Sequence, residues 1–479
     1  MEQSLKLIDY MALAPILITF GMALILILLE SLTDKKIGHY APILTALALI
    51  TAIFVAWPSN ISDNPLLTTW LRFDEFAHFF TLFFLFLSLA IALLSASFLQ
   101  YFVISQGEYF FFLLSALVGM LLISASADFL TLFIGIELLS LSSYLLCGYM
   151  KQWRFSAEAS VKYFLMGAFA TAFLLYGIAL IYGAVGTTKF DGLSEHYRTL
   201  AAHNQRILFL SGIALISLGL CFKAAIVPFH MWAPDAYSGA ATPVIAFMAV
   251  GTKAAAFVAL ARVFLVELAG FDALWQQAMA WLAYPTLIYA NIVALRQNRL
   301  RRFLAYSGIA QAGFMLLALA AGTSEAISAL SFYLIVYAFA MIAILAVLTE
   351  LDRDEKGLML TDLNGLAYRS PWRAAILVLA LLTLSGIPPT AGFFAKFYLF
   401  KVAFKANYHL LVVVALCLSV FAAYYYLRIV SLIFSKYTQT KIIYSATLPL
   451  VFVGVLAFST LLWLALDPQW VMGLFQNSV

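Results

Sequence analysis

Charge is what this sequence has least of: Lys, Arg, Asp and Glu together make 10% of 479 residues, against 65% hydrophobic. So little polar surface cannot clothe a soluble globule, and a mean hydropathy of +0.99 places the chain in a bilayer. Cysteine is almost as scarce. Cys147, Cys221 and Cys417 stand singly in different apolar stretches, with no CxxC and no Cys/His spacing for zinc or an iron–sulfur cluster. They read as small core residues. No GxGxxG follows a strand pattern and no Walker loop occurs, so neither a cofactor site nor a metal site is expected within the chain. The formal net charge of +4 comes from bases in short loops, which is a topology signal and not a nucleic-acid surface.

What is present in abundance is apolar runs near the roughly 20 residues needed to span hydrocarbon. About fourteen are expected, near 11–30, 41–57, 76–99, 109–126, 128–149, 159–185, 207–232, 241–266, 274–295, 303–321, 326–349, 374–402, 409–434 and 446–466. The fold class is an all-α integral membrane protein, a single polytopic domain over 1–479. The leader MEQSLKLIDY carries as many acids as bases and the apolar run after it is too long for an h-region, so the first run reads as span 1 and not as a cleaved signal.

Lys35 and Lys36 follow span 1, Lys151 and Arg154 span 5, Arg296, Arg299, Arg301 and Arg302 span 9, and Lys436 and Lys441 span 13. All are odd-numbered connections. The positive-inside rule makes that face cytoplasmic and puts both termini on the outer, periplasmic side. Lys401 and Lys405 after span 12 run against this assignment.

Against this apolar background five charges stand out inside the runs: Glu137, Lys162, Lys223, Lys253 and Lys396. A charge near the bilayer centre costs roughly 2.5 to 3.5 kcal/mol on insertion scales, so retaining five implies a use such as an ion or proton path. A lysine taken out of water is a group whose protonation can switch. Two of them stand beside helix breakers. Span 7 reads CFKAAIVPFHMWAP, with Pro228 after Lys223, and span 12 reads LSGIPPTAGFFAKFY, with Pro388 and Pro389 before Lys396. Proline removes a backbone hydrogen bond and frees a carbonyl, which lipid tolerates only against protein or a wet cavity. Paired interrupted helices suggest inverted repeats. Spans 7 and 12 are an odd number of spans apart, so five-helix blocks 4–8 and 9–13 run in opposite senses. The expected divisions are 1–105 (spans 1–3), 106–268, 269–436, and 437–479 (span 14 and tail).

His230, seven residues after Lys223, is a candidate relay because imidazole titrates near neutrality. The plainer reading is a core histidine bonded to carbonyls freed by Pro228. For the lysines the plainer reading is an ion pair fixing helix packing, and for Lys162 a local i,i+4 pair with Glu158. Asp235 reads as a local cap, and Asp74, Glu75 and His78 as interface anchors at the start of span 3.

FKAAIVPFHMWAPDAYSGAATPVIAFMAVGTKAAAF, across spans 7 and 8, resembles the signature region of the antiporter-like membrane subunits of respiratory complex I. SAEASVKYFLMGAFATAFLLYGIALIYG, RRFLAYSGIAQAGFMLL and LSGIPPTAGFFAKFYLF agree with it, and the last is most similar to the N type. Lysine at 396 fits the N and L types, and the chain stops at Val479 where the L type continues into a lateral helix. The resemblance implies proton transport driven by NADH oxidation and quinone reduction in other chains, with NAD, FMN, iron–sulfur clusters and quinone held by the whole complex. Its expected partners are the other membrane-arm subunits, antiporter-like siblings among them, and the lipid of a bacterial inner membrane. It also implies roles: Glu137 and Lys162 as an input pair, Lys223 as the central carrier, Lys253 with His230 linking inward, and Lys396 governing exit. Ala395 and Gln311 depart from the family, where glycine is frequent and histidine is sometimes found. An Mrp-type sodium/proton antiporter subunit, or the equivalent subunit of a ferredoxin-, deazaflavin- or hydrogen-linked complex, shares the same pattern.

Overall fold

The computed structural model describes residues 6–32, 40–58, 61, 62, 64–102, 104, 106–200, 203–268, 272–352, 354–436 and 447–473. Lys35, Lys36 and Lys441, used above for orientation, lie outside the described residues. The described residues form helices and isolated bridges with no strand. The principal helices are α1 (Leu7–Leu32), α2 (Ala41–Ala56), α3 (Glu75–Phe102), α4 (Gly107–Ser124), α5 (Phe129–Cys147), α6 (Arg154–Val185), α7 (His203–Lys223) and α8 (Trp232–Gly239). They continue with α9 (Thr242–Glu267), α10 (Asp272–Leu295), α11 (Leu300–Ala321), α12 (Ser324–Leu351), α13 (Pro371–Ser385), α14 (Ala391–Lys405), α15 (His409–Ile433) and α16 (Leu448–Leu466). Among the described residues twelve helices are long and apolar enough to cross a membrane, and α2 and α13 are shorter apolar helices. A helix satisfies its own backbone polar groups, which is why lipid accepts it.

The helices fall into two compact units. Unit 1 comprises Met1–Tyr149, Val161–Ala224 and Gly251–Phe271. In it α4 and α5 approach closely, where a Cβ on Gly119 would lie 2.6 Å from the Gly135 oxygen and one on Gly135 would lie 2.9 Å from the Gly119 oxygen. Only glycine at both positions allows backbones this close, the small-residue packing typical of membrane helices. Beside these helices the segment Trp70–Arg72 pairs with residues 125–127: Arg72 N donates to Ala125 O (2.7 Å) and Ala127 N to Trp70 O (3.1 Å).

Unit 2 comprises Met150–Ser160, Ala225–Val250 and Asp272–Val479. Its centre is α11, which is buried within the chain along its length except at Arg302. Among its described residues two buried ion pairs stand out. Arg301 Nε donates to Asp352 (2.7 Å) and its Nη2 to Asp352 Oδ1 (3.0 Å), both residues about 3% exposed or less. Arg373 Nε donates to Glu350 (2.6 Å), joining the end of α12 to the start of α13. An unpaired charge in such surroundings would be costly, so each arginine fixes its carboxylate's helix.

Candidate functional site

Lys223 is the last residue of α7, where the chain leaves helical geometry and Ala225 adopts a positive φ of 57°. The carbonyls at a helix C-terminus lack intrahelical partners and carry partial negative charge, which favours a cation there. Lys223 is 6% exposed, and its Nζ donates to the hydroxyl of Tyr144 on α5 at 2.8 Å. Glu137 lies two turns before Tyr144 on the same helix, and its carboxylate acts electrostatically on both Tyr144 and Lys223. Unit 1 thus brings Glu137, Tyr144 and Lys223 into one polar group.

Glu137 is half-buried and accepts a hydrogen bond from Thr171 of α6 (2.7 Å). Lys162 sits nine residues before Thr171 on that helix, about 13 Å along the axis, and is exposed on this chain. Of the five charges that stand inside apolar runs, Lys223, Lys253 and Lys396 are buried, Glu137 is half-buried and Lys162 is exposed on this chain. Lys253, 3% exposed, opens the α-helical stretch Lys253–Ala261 of α9, directly after the π-helical turn Phe247–Thr252. π turns are rare and store a misfit that α-helix lacks, and they concentrate at functional sites.

In unit 2, Lys396 lies on α14 beyond the break at 386–390. α13 ends with Gly386 at φ +80° and with Ile387 N reaching back to Leu382 O, a Schellman-like close. A Cβ on Gly386 would lie 2.8 Å from Lys396 Cδ, so glycine there serves both the turn and the lysine. Lys396 Nζ, on a residue 3% exposed, donates to Ser385 O (2.8 Å) and Ser419 Oγ (3.0 Å) and lies 4.6 Å from the ring centre of Phe314. The ammonium therefore caps the carbonyl end of α13. A small cavity with room for about one water is lined by Lys396, Gln311, Tyr333, Tyr337 and Thr383. Gln311 ties that wall together: its Nε2 donates to Leu384 O (3.0 Å) and Tyr426 Oη (3.1 Å), and its Oε1 accepts from Tyr333.

His230 falls in the non-helical break between α7 and α8, so it does not continue the helical face of Lys223. It is buried, with its ring against Tyr289 at 4.8 Å between centroids. Pro228 and Pro389 each follow a cis peptide bond, Val227–Pro228 and Pro388–Pro389. Asp235 stands in the first turn of α8, 3.8 Å from Arg302. Lys405, whose position opposed the charge-based orientation, pairs with Glu325. Of the cysteines, Cys147 and Cys221 are buried and Cys417 is exposed. Among the described residues no cluster of three or more His, Cys, Asp or Glu could hold a metal ion.

Several polar side chains were not singled out by sequence. Tyr144 is one of 24 tyrosines and nothing local marks it. Arg262, 0% exposed, lies inside an apolar run as the lysines do, and the same reading extended to arginine finds it. The pairings of Arg301 and Arg373 depend on residues tens of positions away and leave no local trace.

The family model described as NADH:quinone oxidoreductase/Mrp antiporter, transmembrane, matches residues 126–422, more than half the chain. NADH-quinone oxidoreductase subunit N of Protochlamydia amoebophila is 50% identical over 471 residues, covering 98% of each chain. A chain of respiratory complex I from Thermus thermophilus superposes with a TM-score of 0.80 at 32% identity, covering 96% of this chain and 98% of that one. A chain of the Mrp complex from Dietzia sp. superposes with a TM-score of 0.82 at 20% identity over 96% of both, a likeness of fold alone. The chain belongs to the NADH:quinone oxidoreductase/Mrp antiporter family of transmembrane subunits.

Proposed function

We propose that this chain is a proton-translocating membrane subunit of a bacterial NADH-quinone oxidoreductase and that Glu137, Lys162, Lys223, His230, Lys253 and Lys396 carry or control the proton. The observation that carries the reading is the pair of interrupted helices, each with a buried lysine at the break, in a chain half identical over nearly its whole length to a subunit N. Electron transfer from NADH to quinone, with NAD, FMN, iron–sulfur clusters and quinone, belongs to other subunits, and this chain holds no redox centre.

A lysine can serve such a path because its neutral form accepts a proton and its charged form repels the next lysine's charge. The Tyr144 hydroxyl can serve Lys223 in both protonation states, since it can accept from the ammonium or donate to the amine. Lys396 meets a carbonyl, a hydroxyl and an aromatic face, and it borders a cavity with room for about one water. Glu137, half-buried and within electrostatic reach of Lys223, biases that lysine, and a displacement of Lys162 relative to Glu137 alters the bias. Both termini lie on the outer face, and residues 106–268 and 269–436 are the two inverted repeats between 1–105 and 437–479.

The test is purification through a tag on this chain. The reading expects flavin- and iron–sulfur-bearing subunits to accompany it and the preparation to reduce quinone with NADH. Sodium/proton exchange without NADH oxidation would overturn it in favour of the antiporter alternative.

A further inference from the structure

α9 carries Lys253 and ends in a second π-helical turn, Arg262–Glu267, closed by Leu268 N donating to Val263 O five residues back. The first and last residues of that turn carry opposite charges, and so do two residues of the segment before α3. Arg262 donates to both carboxylate oxygens of Asp74, the Nη2 bond at 2.9 Å, and also to Ser124 O (2.6 Å), with its guanidinium over the Phe76 ring at 4.6 Å. Arg72 in turn donates to Glu267 at 2.6 Å and also pairs with Asp191. The two contacts are reciprocal: base 262 to acid 74, acid 267 to base 72.

The anchor is firm on its own account. Arg72 is fixed by its backbone bond to Ala125, Phe73 is buried with Ala77 and Ala125, and Asp74 caps α3 by accepting from Ala77 N at 2.8 Å. A π turn contains one residue more than an α turn, so relaxing it rotates one end against the other by about 100° and shifts it about 1.5 Å. Arg262 and Glu267 could not then both keep partners two residues apart on a fixed segment. In each pair one side chain is buried, that of Arg262 or Glu267, and the other, that of Asp74 or Arg72, is partly exposed. Ion pairs that bury a charge are poor devices for stability alone, because apolar residues of similar volume serve as well, and their best-attested use is to fix register.

We infer that Asp74–Arg262 and Arg72–Glu267 form a double latch that locks the rotation and axial setting of α9, and thereby positions Lys253, nine residues before Arg262, for proton transfer. Asp74, Arg72, Arg262 and Glu267 are positioning residues that touch no transferred proton. The inference rests on the proposed role of Lys253.

The test uses the whole complex in proteoliposomes, measuring NADH:quinone turnover per assembled complex and protons moved per electron. Asp74→Asn is expected to leave turnover within about twofold and to cut the proton ratio to less than half. The charge exchange Asp74→Arg with Arg262→Asp is expected to recover at least half of the loss. Asp74→Asn combined with Lys253→Ala is expected to pump no worse than Lys253→Ala alone, an epistasis that general loosening would not produce. Should Asp74→Asn fail to assemble, Arg262→Lys, which keeps the charge and loses the fork, carries the same expectations. A wild-type ratio in Asp74→Asn, no recovery in the exchange, or a further loss in the combination overturns the latch. Wild-type pumping by Lys253→Ala overturns instead the reading on which it rests.

Discussion

Lys396 donates from its Nζ to the backbone oxygen of Ser385, 2.8 Å away and eleven residues earlier, across the break between α13 and α14. A side chain from the second half-helix thus satisfies a carbonyl that the interruption left without its helical partner. Charge placement and backbone accounting are one contact here, so disturbing the turn disturbs the lysine.

Gly386→Ala tests that coupling. The added Cβ meets Lys396 Cδ at 2.8 Å and the residue must hold φ +80°, so the cost is at least about 1 kcal/mol from backbone strain alone. The expected result is a complex that assembles with reduced thermal stability and pumps at most half as well per electron. Thermal unfolding followed with proteoliposome acidification measures both, and a fully coupled Gly386→Ala complex contradicts the account.

Tyr144→Phe removes the hydroxyl that Lys223 uses and little volume. A hydrogen bond to a charged group is worth about 1.5–3 kcal/mol, roughly a ten- to hundredfold change in an equilibrium. The expected outcome is a loss of proton movement of several-fold or more with assembly unchanged, because the ring remains to fill its place against Tyr163. Pumping at the wild-type rate would show that Lys223 has another partner sufficient for its work.

Arg301→Ala leaves Asp352 buried without its fork and should destabilise unit 2 by about 3–5 kcal/mol. Reduced assembly is the expected reading on a native gel. Replacing both residues, Arg301→Met with Asp352→Leu, should restore most of it, since the charge left behind is what costs. No better assembly from the double replacement than from Arg301→Ala would refute this explanation.

Much of the fold was legible because the period and length of apolar runs are local properties. The breaks at Pro228 and Pro388–Pro389 were legible too, since proline acts on its own backbone. Lys223, Lys253 and Lys396 were found from their contrast with apolar neighbours, and they are buried. Lys162, which the sequence already sets apart by its i,i+4 neighbour Glu158, is exposed on this chain, and a hydrophobic run does not say which helix face meets lipid or another subunit and which meets the rest of the chain. Tyr144, Arg262 with Asp74, and Gln311 with Tyr333 and Tyr426 gain their meaning from partners 22 to 188 residues away. No periodicity could have paired them.

The central claim is that the buried lysines at the two breaks move protons driven by chemistry elsewhere. The direct measurement is protons translocated per electron by the intact complex in proteoliposomes carrying Lys223→Ala or Lys396→Ala, normalised to NADH:quinone turnover. The account predicts a lower ratio in each variant with the complex still assembled. A wild-type ratio in both would contradict it.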